Sequence, residues 1–338
     1  MGHSGIPTPW AGTDVAVTLL TPTTIRRICT ELHIQPTKTL GQNFVHDAST
    51  VRRIVTAAAI TPGTHVLEVG PGLGSLTLGL LEAGARVTAV EIDPVLATAL
   101  PATVAGHAGT HAPLRVLRAD AISVRNLDDL TRAISVTEAV ATTSEDADAA
   151  REASASADWG SPTAMVANLP YNVAVPLIMN VLEHFPTIRD ILVMVQTEVA
   201  QRLSAQPGSR IYGVPSVKVR WYGRASMAGN ISRQVFWPVP HVDSSLVRIT
   251  RYGAGDDIPA VHDVEREALF TVIDQAFSQR RKGLRAALKT WAGGAAQSEA
   301  ILNDAGIDPT RRGETCTIED FAAIARAAQV RARQRRGE

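Results

Sequence analysis

The sequence is poor in the residues that cross-link a chain, hold a metal or anchor a protein in a membrane. It has only 2 cysteines, Cys29 and Cys316, far apart and without a partner at ligand spacing, so no disulfide framework and no cysteine-based metal site can be drawn from them. A reducing, cytoplasmic home is expected. The 9 histidines join no Cys/His cluster with ligand spacing. There is neither a P-loop nor a Ser/His/Asp arrangement, so the expected chemistry needs no metal. Residues 1–16 hold no charged segment leading into an apolar one, and no stretch is both long enough and apolar enough to span a bilayer; a soluble, non-exported protein is expected. An excess of charge is missing too: 33 basic and 33 acidic side chains give a net charge of zero, which by itself argues neither for nor against a nucleic-acid partner.

The distribution of those charges says more than the sum. Residues 128–160 are rich in Ala, Ser, Thr, Asp and Glu, whereas Arg280, Arg281, Lys282, Arg285 and Lys289 lie in one short stretch. An acidic insert thus hides a local basic segment. Residues 1–20 are rich in Gly, Pro and Thr and show no periodicity, so they read as a flexible extension. From 21 to 252, helix-like segments alternate with short β-branched runs at Val66 to Val69, Arg86 to Asp93, Arg115 to Asp120, Met165 to Leu169 and Ile188 to Val195. That alternation predicts an α/β domain with a mostly parallel, doubly wound sheet. Two further runs, Ser216 to Ser226 and Ser245 to Thr250, predict an antiparallel hairpin at the sheet edge. The insert at 128–160 falls between two strands and reads as a mobile surface loop. Beyond a polar linker at 253–257, residues 258–338 predict a small, all-helical C-terminal domain ending in Arg331, Arg333, Arg335 and Arg336.

The chemistry collects at strand ends. Val66-Leu67-Glu68-Val69 runs into Gly70-Pro71-Gly72-Leu73-Gly74-Ser75, a turn in which glycines let the backbone approach a ligand before a helix begins. Such a turn is not specific by itself, since dinucleotide enzymes use G-x-G-x-x-G, but the G-x-G-x-G spacing leans away from them. Glu91, at the end of the next strand, can accept hydrogen bonds from two vicinal ribose hydroxyls, and Asp120, after the third, can accept from an adenine amine with Ile92 and Ile122 flanking the ring. A lone Asn168-Leu169-Pro170-Tyr171 is as readily a helix cap followed by a turn proline. Behind Gly70, Glu91 and Asp120 it suits methylation of an adenine amine. The Asn168 oxygen and the Leu169 carbonyl can accept the two N6 protons, holding the lone pair towards a methyl donor, and Tyr171 can stack on an extruded base.

With these residues in place, the chain resembles the ribosomal RNA adenine N6-dimethyltransferase family, and within it the bacterial small-subunit branch. The matching stretches are Leu40-Gly41-Gln42-Asn43-Phe44, Leu67 to Thr77, Val90 to Asp93, Asn168 to Asn172, Val195 to Leu203, Pro207 to Val217, Phe236 to Val247 and Ala276 to Leu288, colinear over most of the chain between Thr37 and Leu288. The resemblance implies a Rossmann-like class I methyltransferase domain and S-adenosylmethionine as cofactor. It implies cofactor contacts at Asn43, Val45, Gly70, Gly72, Glu91, Asp120 and Asn168. Catalytic positions would be Asn168, Leu169, Pro170, Tyr171 and Phe236, the last closing the other face of the base. The implied reaction is dimethylation of two adjacent adenosines in a hairpin near the 3′ end of 16S rRNA, in a pre-30S or 30S particle, by a monomeric enzyme. Val45 stands where the family usually has Leu, a conservative loss of one methylene; Thr197 stands where Lys is common and His241 where Lys is usual, each removing a positive charge, which touches RNA contact rather than catalysis.

Arg280, Arg281, Lys282 and Arg285 read as a basic helix start able to pair with phosphates, against the alternative of a solvated charged face. Three other functions compete with the main one. A 23S rRNA adenine N6-methyltransferase of the macrolide-resistance type shares the N-x-P-[YF] turn, but Phe277 to Lys282 and Phe236 to Pro240 match the small-subunit branch better. A non-catalytic ribosome assembly factor would not need Gly70, Glu91, Asp120 and Asn168 intact. A nicotinamide-dependent oxidoreductase leaves Asn168 to Tyr171 unexplained.

Overall fold

The computed structural model describes residues 16–34, 43–141, 146 and 159–337. The readings made for residues 1–15, for Leu40-Gly41-Gln42 and for most of the insert, 142–145 and 147–158, lie outside the described residues. The chain forms two compact units, the first from the described parts of Met1–Thr197 with Ala228–Arg248, the second from Glu198–Met227 with Ile249–Glu338.

In the first unit the apolar runs become strands covered on both faces. Strands β2 (His65–Val69), β3 (Arg86–Glu91), β4 (Leu114–Arg118), β6 (Ala164–Asn168) and β7 (Asp190–Gln196) run parallel, in register at Val66 with Val87, Val66 with Ala164, Val87 with Leu114 and Ala164 with Asp190. All residues of β2 are buried, as expected of a strand with helices on both sides. Strand β5 (Ile134–Ser135) pairs antiparallel with β4, and the order across the sheet is β5-β4-β3-β2-β6-β7-β10-β8, with β8 at Gly223–Ile231 and β10 at Ser244–Arg251. Tyr252 N–H bonds to Tyr222 O at 3.2 Å at one end, and Ser245 meets Asn230 at the other, so β8 and β10 form the expected antiparallel edge pair. A separate pair joins β1 (Phe44–Val45) to β9 (Phe236–Trp237), Val45 opposite Phe236.

Local chemistry sets the helix starts. Asp47 accepts from Thr50 N at 2.7 Å to cap Ala48–Ala57. Asp93 accepts from Val95 N at 2.8 Å and Leu96 N at 3.2 Å to cap Pro94–Ala108, where Pro94 has no N–H to satisfy. The beginning of the acidic insert is ordered rather than loop: Asn126 caps a short helix Leu127–Leu130, and Val136, fully buried, opens another at Val136–Val140. Among the described residues no helix is long and apolar enough to cross a membrane.

The second unit differs from the sequence reading in two places. Ser216 to Ser226 was expected to be one strand; instead Val214–Val219 is helical and β8 begins at Gly223. Pro215 sits in the first helical turn, Gly213 N–H donates to Ser216 Oγ at 3.0 Å, and Val217 and Val219 are fully buried, so packing overrides their β-branched preference. The division between units also falls elsewhere than 253–257. Tyr212 and Val217 pack in one core with Leu269, Val272, Leu284 and Phe321, and Tyr212 Oη donates to Cys316 O at 3.0 Å. The 253–257 segment closes as a turn, with Gly253 N–H on Asp256 at 2.6 Å and Arg224 paired to Asp256 at 3.0 Å. Helix Ile318–Gly337 continues through the terminal arginines.

Candidate active site

In this sheet β3 and β4 lie to one side of β2 while β6 and β7 lie to the other, so the order reverses between β2 and β6. The crevice beyond the carboxyl ends of two strands that part in this way is where open α/β sheets bind ligands. A cavity of about 200 Å³ occupies that place.

The turn after β2 forms its floor. Gly72 has φ +59°, and a Cβ there would lie 3.0 Å from the Phe44 ring; Gly74 has φ +93°, and a Cβ would lie 2.7 Å from Leu100 Cδ1. Both positions therefore need glycine for conformation and for space. The turn delivers the first amides of helix Ser75–Glu82 to the cavity, a partial positive charge facing whatever binds.

Glu91 ends β3 with its carboxylate nearly enclosed at 5% exposure. Its two oxygens accept from Gly72 N at 3.1 Å and Asp93 N at 3.0 Å, while burial pushes its pKa upward. The side chain is thus fixed in direction and keeps lone pairs for a ligand. Asp120, exposed after β4, accepts from Ile122 N at 3.0 Å through Oδ1. Asn168 ends β6 and donates from Nδ2 to Asn43 O at 3.0 Å; the carbonyl partner fixes the amide so that Oδ1 is the free acceptor. Asn43, Val45, Gly70, Gly72, Glu91, Asp120, Asn168 and Pro170 all line the cavity, as do Ile92 and Ile122.

Three expected residues do not line it. Leu169 buries its side chain in the core, leaving only its backbone to act at the site. Tyr171 is half-buried beside the cavity, Oη against Ser244 Oγ at 2.8 Å. Phe236, expected at the face of the base, is 1% exposed: its position opposite Val45 in the β1–β9 pair turns the ring into the core. The basic residues belong to the second unit. Arg280 pairs with Glu314 at 3.4 Å and Arg285 with Glu299 at 2.9 Å, while Arg281 and Lys282 are exposed.

Glu68 and Ser75 are among the lining residues that were not singled out in the sequence. Glu68 is 1% exposed, accepts from Thr77 Oγ1 at 2.7 Å, and burial pushes its pKa up to about 8. A lone acid inside the apolar run of β2 was the available signal. Ser75 Oγ is buried in the cavity wall and has no hydrogen-bond partner among the described residues. A buried hydroxyl left unpaired is costly, which is the mark of a site built for a ligand with polar atoms of its own.

The chain matches the model of the ribosomal RNA adenine dimethylase family over residues 34–329. It belongs to that family. Its fold is accordingly that of a Rossmann-like methyltransferase with a C-terminal helical part, and it is an S-adenosylmethionine-dependent ribosomal RNA adenine dimethyltransferase. Similar relatives include the ribosomal RNA small subunit methyltransferase A of Thermobifida fusca (strain YX), 52% identical over 91% of this chain and 95% of that protein. The protein of the same name from Streptomyces coelicolor is 50% identical over 91% of this chain and 96% of its own. Among solved structures, a dimethyladenosine transferase from Plasmodium falciparum superposes with a TM-score of 0.60 at 20% identity, covering 83% of this chain and 95% of that one. The 23S rRNA methyltransferase ErmE gives 0.56 at 24% identity, covering 85% and 100%; both show the shared fold. The cavity fits the family's cofactor on its own terms: glycines that leave room for a ligand, carboxylates beyond β3 and β4, apolar Ile92 and Ile122, and the unpartnered Ser75 hydroxyl.

Proposed function

We propose that this chain dimethylates N6 of two adjacent adenosines in a hairpin near the 3′ end of small-subunit ribosomal RNA, acting as a monomer on a pre-30S or 30S particle in the cytoplasm. The observation that carries the reading is the convergence of Glu91, Asp120 and Asn168 on one cavity at the switch point of the sheet. The choice of the small subunit is supported by relatives of that name at about half identity over nine-tenths of the chain.

The residues divide the work by position. Glu91 accepts from the ribose hydroxyls and Asp120 from the adenine amine of the cofactor, with Ile92 and Ile122 on either side of the ring. Asn43, Val45, Gly70 and Gly72 complete the cofactor's enclosure. S-adenosylmethionine supplies an electrophilic methyl group. The target adenine enters beside Asn168, whose Oδ1 and the Leu169 carbonyl accept the two N6 protons; Pro170 fixes that turn, and Tyr171 stacks on the base. The same acceptors stabilise the positive charge that builds on N6, and the proton leaves once the new C–N bond has made the nitrogen acidic, so no dedicated base is needed. Phe236 acts indirectly, holding Val45 and Asn43 against the cavity through the β1–β9 pair. Arg281 and Lys282 are offered to RNA phosphates.

The test is transfer of labelled methyl groups to small subunits lacking the modification, with large subunits as control and RNA products resolved by mass. Dimethyladenosine in small-subunit RNA alone is expected. Labelling of large subunits would replace the proposal with the resistance-type activity.

A further inference from the structure

The cavity accounts for Asn168 and for the cofactor's contacts, yet the residue expected to stack on the target base lies just outside it, bonded to a serine that no part of the reaction requires. Tyr171 Oη and Ser244 Oγ are 2.8 Å apart. Ser244 is fully buried at the start of β10, and among the described residues Tyr171 is the one hydrogen-bond partner of its side chain. A buried hydroxyl is stabilising only while it is paired, so a serine kept here for packing alone would be better replaced by alanine.

Ser244 is itself held on a rigid support. Thr197 N–H bonds to Asp243 O at 2.9 Å, tying the start of β10 to the end of β7. Beside it, Ser245 Oγ donates to Asn230 Oδ1 at 3.0 Å and lies 2.9 Å from Thr197 Oγ1, which pins the next residue of the strand. The tyrosine ring is therefore held at both ends, at its Cα by the turn after Pro170 and at its hydroxyl by a strand that cannot shift alone. A ring tethered only at Cβ would swing about two torsions; tethered at Oη it has one orientation.

We propose that Ser244 is a positioning residue, whose hydroxyl locks the Tyr171 ring in the plane it presents to the target adenine. This rests on the reading of Tyr171 as the stacking residue. Burial raises the Tyr171 pKa, so the phenol keeps its proton and the bond persists across the neutral range.

The experiment is a double-mutant cycle on methyl transfer to unmodified small subunits, measuring kcat and KM for wild type, Ser244→Ala, Tyr171→Phe and the double variant, with S-adenosylmethionine Kd and Tm alongside. Each single change is expected to lower kcat/KM by about fivefold, mostly in kcat, with cofactor Kd unchanged. The double variant is expected to equal either single one, because both remove the same bond. Tyr171→Phe deletes that bond from the less buried side, so the cycle keeps one informative arm if Ser244→Ala folds poorly. Wild-type kcat/KM in either single variant, multiplication of the two losses, or a loss confined to cofactor Kd would overturn the role of Ser244. Tyr171→Ala separates the two ideas: wild-type transfer in that variant removes the stacking reading itself, whereas a crippled Tyr171→Ala beside an unaffected Ser244→Ala removes only the lock.

Discussion

Glu68 and His65 lie on the same strand, β2, at opposite edges of the sheet, and each is buried in its uncharged form. At the carboxyl edge, burial pushes Glu68 up to about 8, against the cavity. At the amino edge, burial pushes His65 down to about 4. There Nδ1–H of His65 donates to Gly160 O at 3.0 Å, and in the neutral ring that burial favours this leaves Nε2 to accept from Thr88 Oγ1 at 2.8 Å. Trp159 meets the same ring edge-on at 5.6 Å and carries the Arg115 guanidinium 4.3 Å from its own centre. The histidine is paired at both ring nitrogens and closes a structure, whereas Glu68, Ser75 and Asp120 line the cavity.

The difference can be broken most sharply at the carboxyl edge. Asn168→Ala is expected to cut methyl transfer on the order of 10³-fold while leaving the fold intact, since the protein itself loses only the Nδ2 bond to Asn43 O, about 1 kcal/mol; retained turnover would show that the amine is held by something else. Glu68 and His65 then predict opposite pH responses. The unfolded chain loses the Glu68 proton near the ordinary carboxyl value of 4.5 while the folded one keeps it to about 8, so this group weakens stability as pH rises through that window. Glu68→Gln should therefore be more stable than wild type at pH 8, by roughly 4 kcal/mol, and indistinguishable near pH 4. For His65 the unfolded chain takes up a proton below its ordinary 6.5 and the folded one only near 4, so stability falls as pH drops between those values. His65→Gln should remove that acid limb, roughly 3 kcal/mol when complete, in denaturant titrations run from pH 7 to pH 4. The smallest effect is expected from excising 142–158. Both flanks return to the amino edge, Ser135 opposite Arg115 and Gly160 on His65, so transfer should stay within about twofold of wild type.

The legible part of the molecule was the part whose meaning is local. Gly70 to Gly74, Glu91, Asp120 and Asn168 each sit at the end of an apolar run, so strand assignment alone brings them to one edge, and the structure puts them around one cavity. What stayed hidden depended on partners distant in sequence. The two-residue strands Phe44–Val45 and Phe236–Trp237 are too short to show a period and exist only by pairing with each other, which is why the inward turn of Phe236 could not be foreseen. Val217 and Val219 favour a strand by type and form a helix because of what they pack against. Glu68 was passed over because the residues around it read as an ordinary buried strand.

The second unit draws its chain from two segments around the last two strands of the sheet: 198–227 ends before β8 is complete, and the rest starts at Ile249, within β10. Its core residues Tyr212 and Val217 are therefore encoded upstream of the turn at 253–257, and Leu269, Phe321 and Cys316 downstream of it. A gene exchange at that turn would hand on helices without the segment that fills their core. The C-terminal helices are thus not a cassette that can be traded among relatives at its most obvious seam, and a chimaera that keeps both halves of this core has to carry the edge of the sheet along with it.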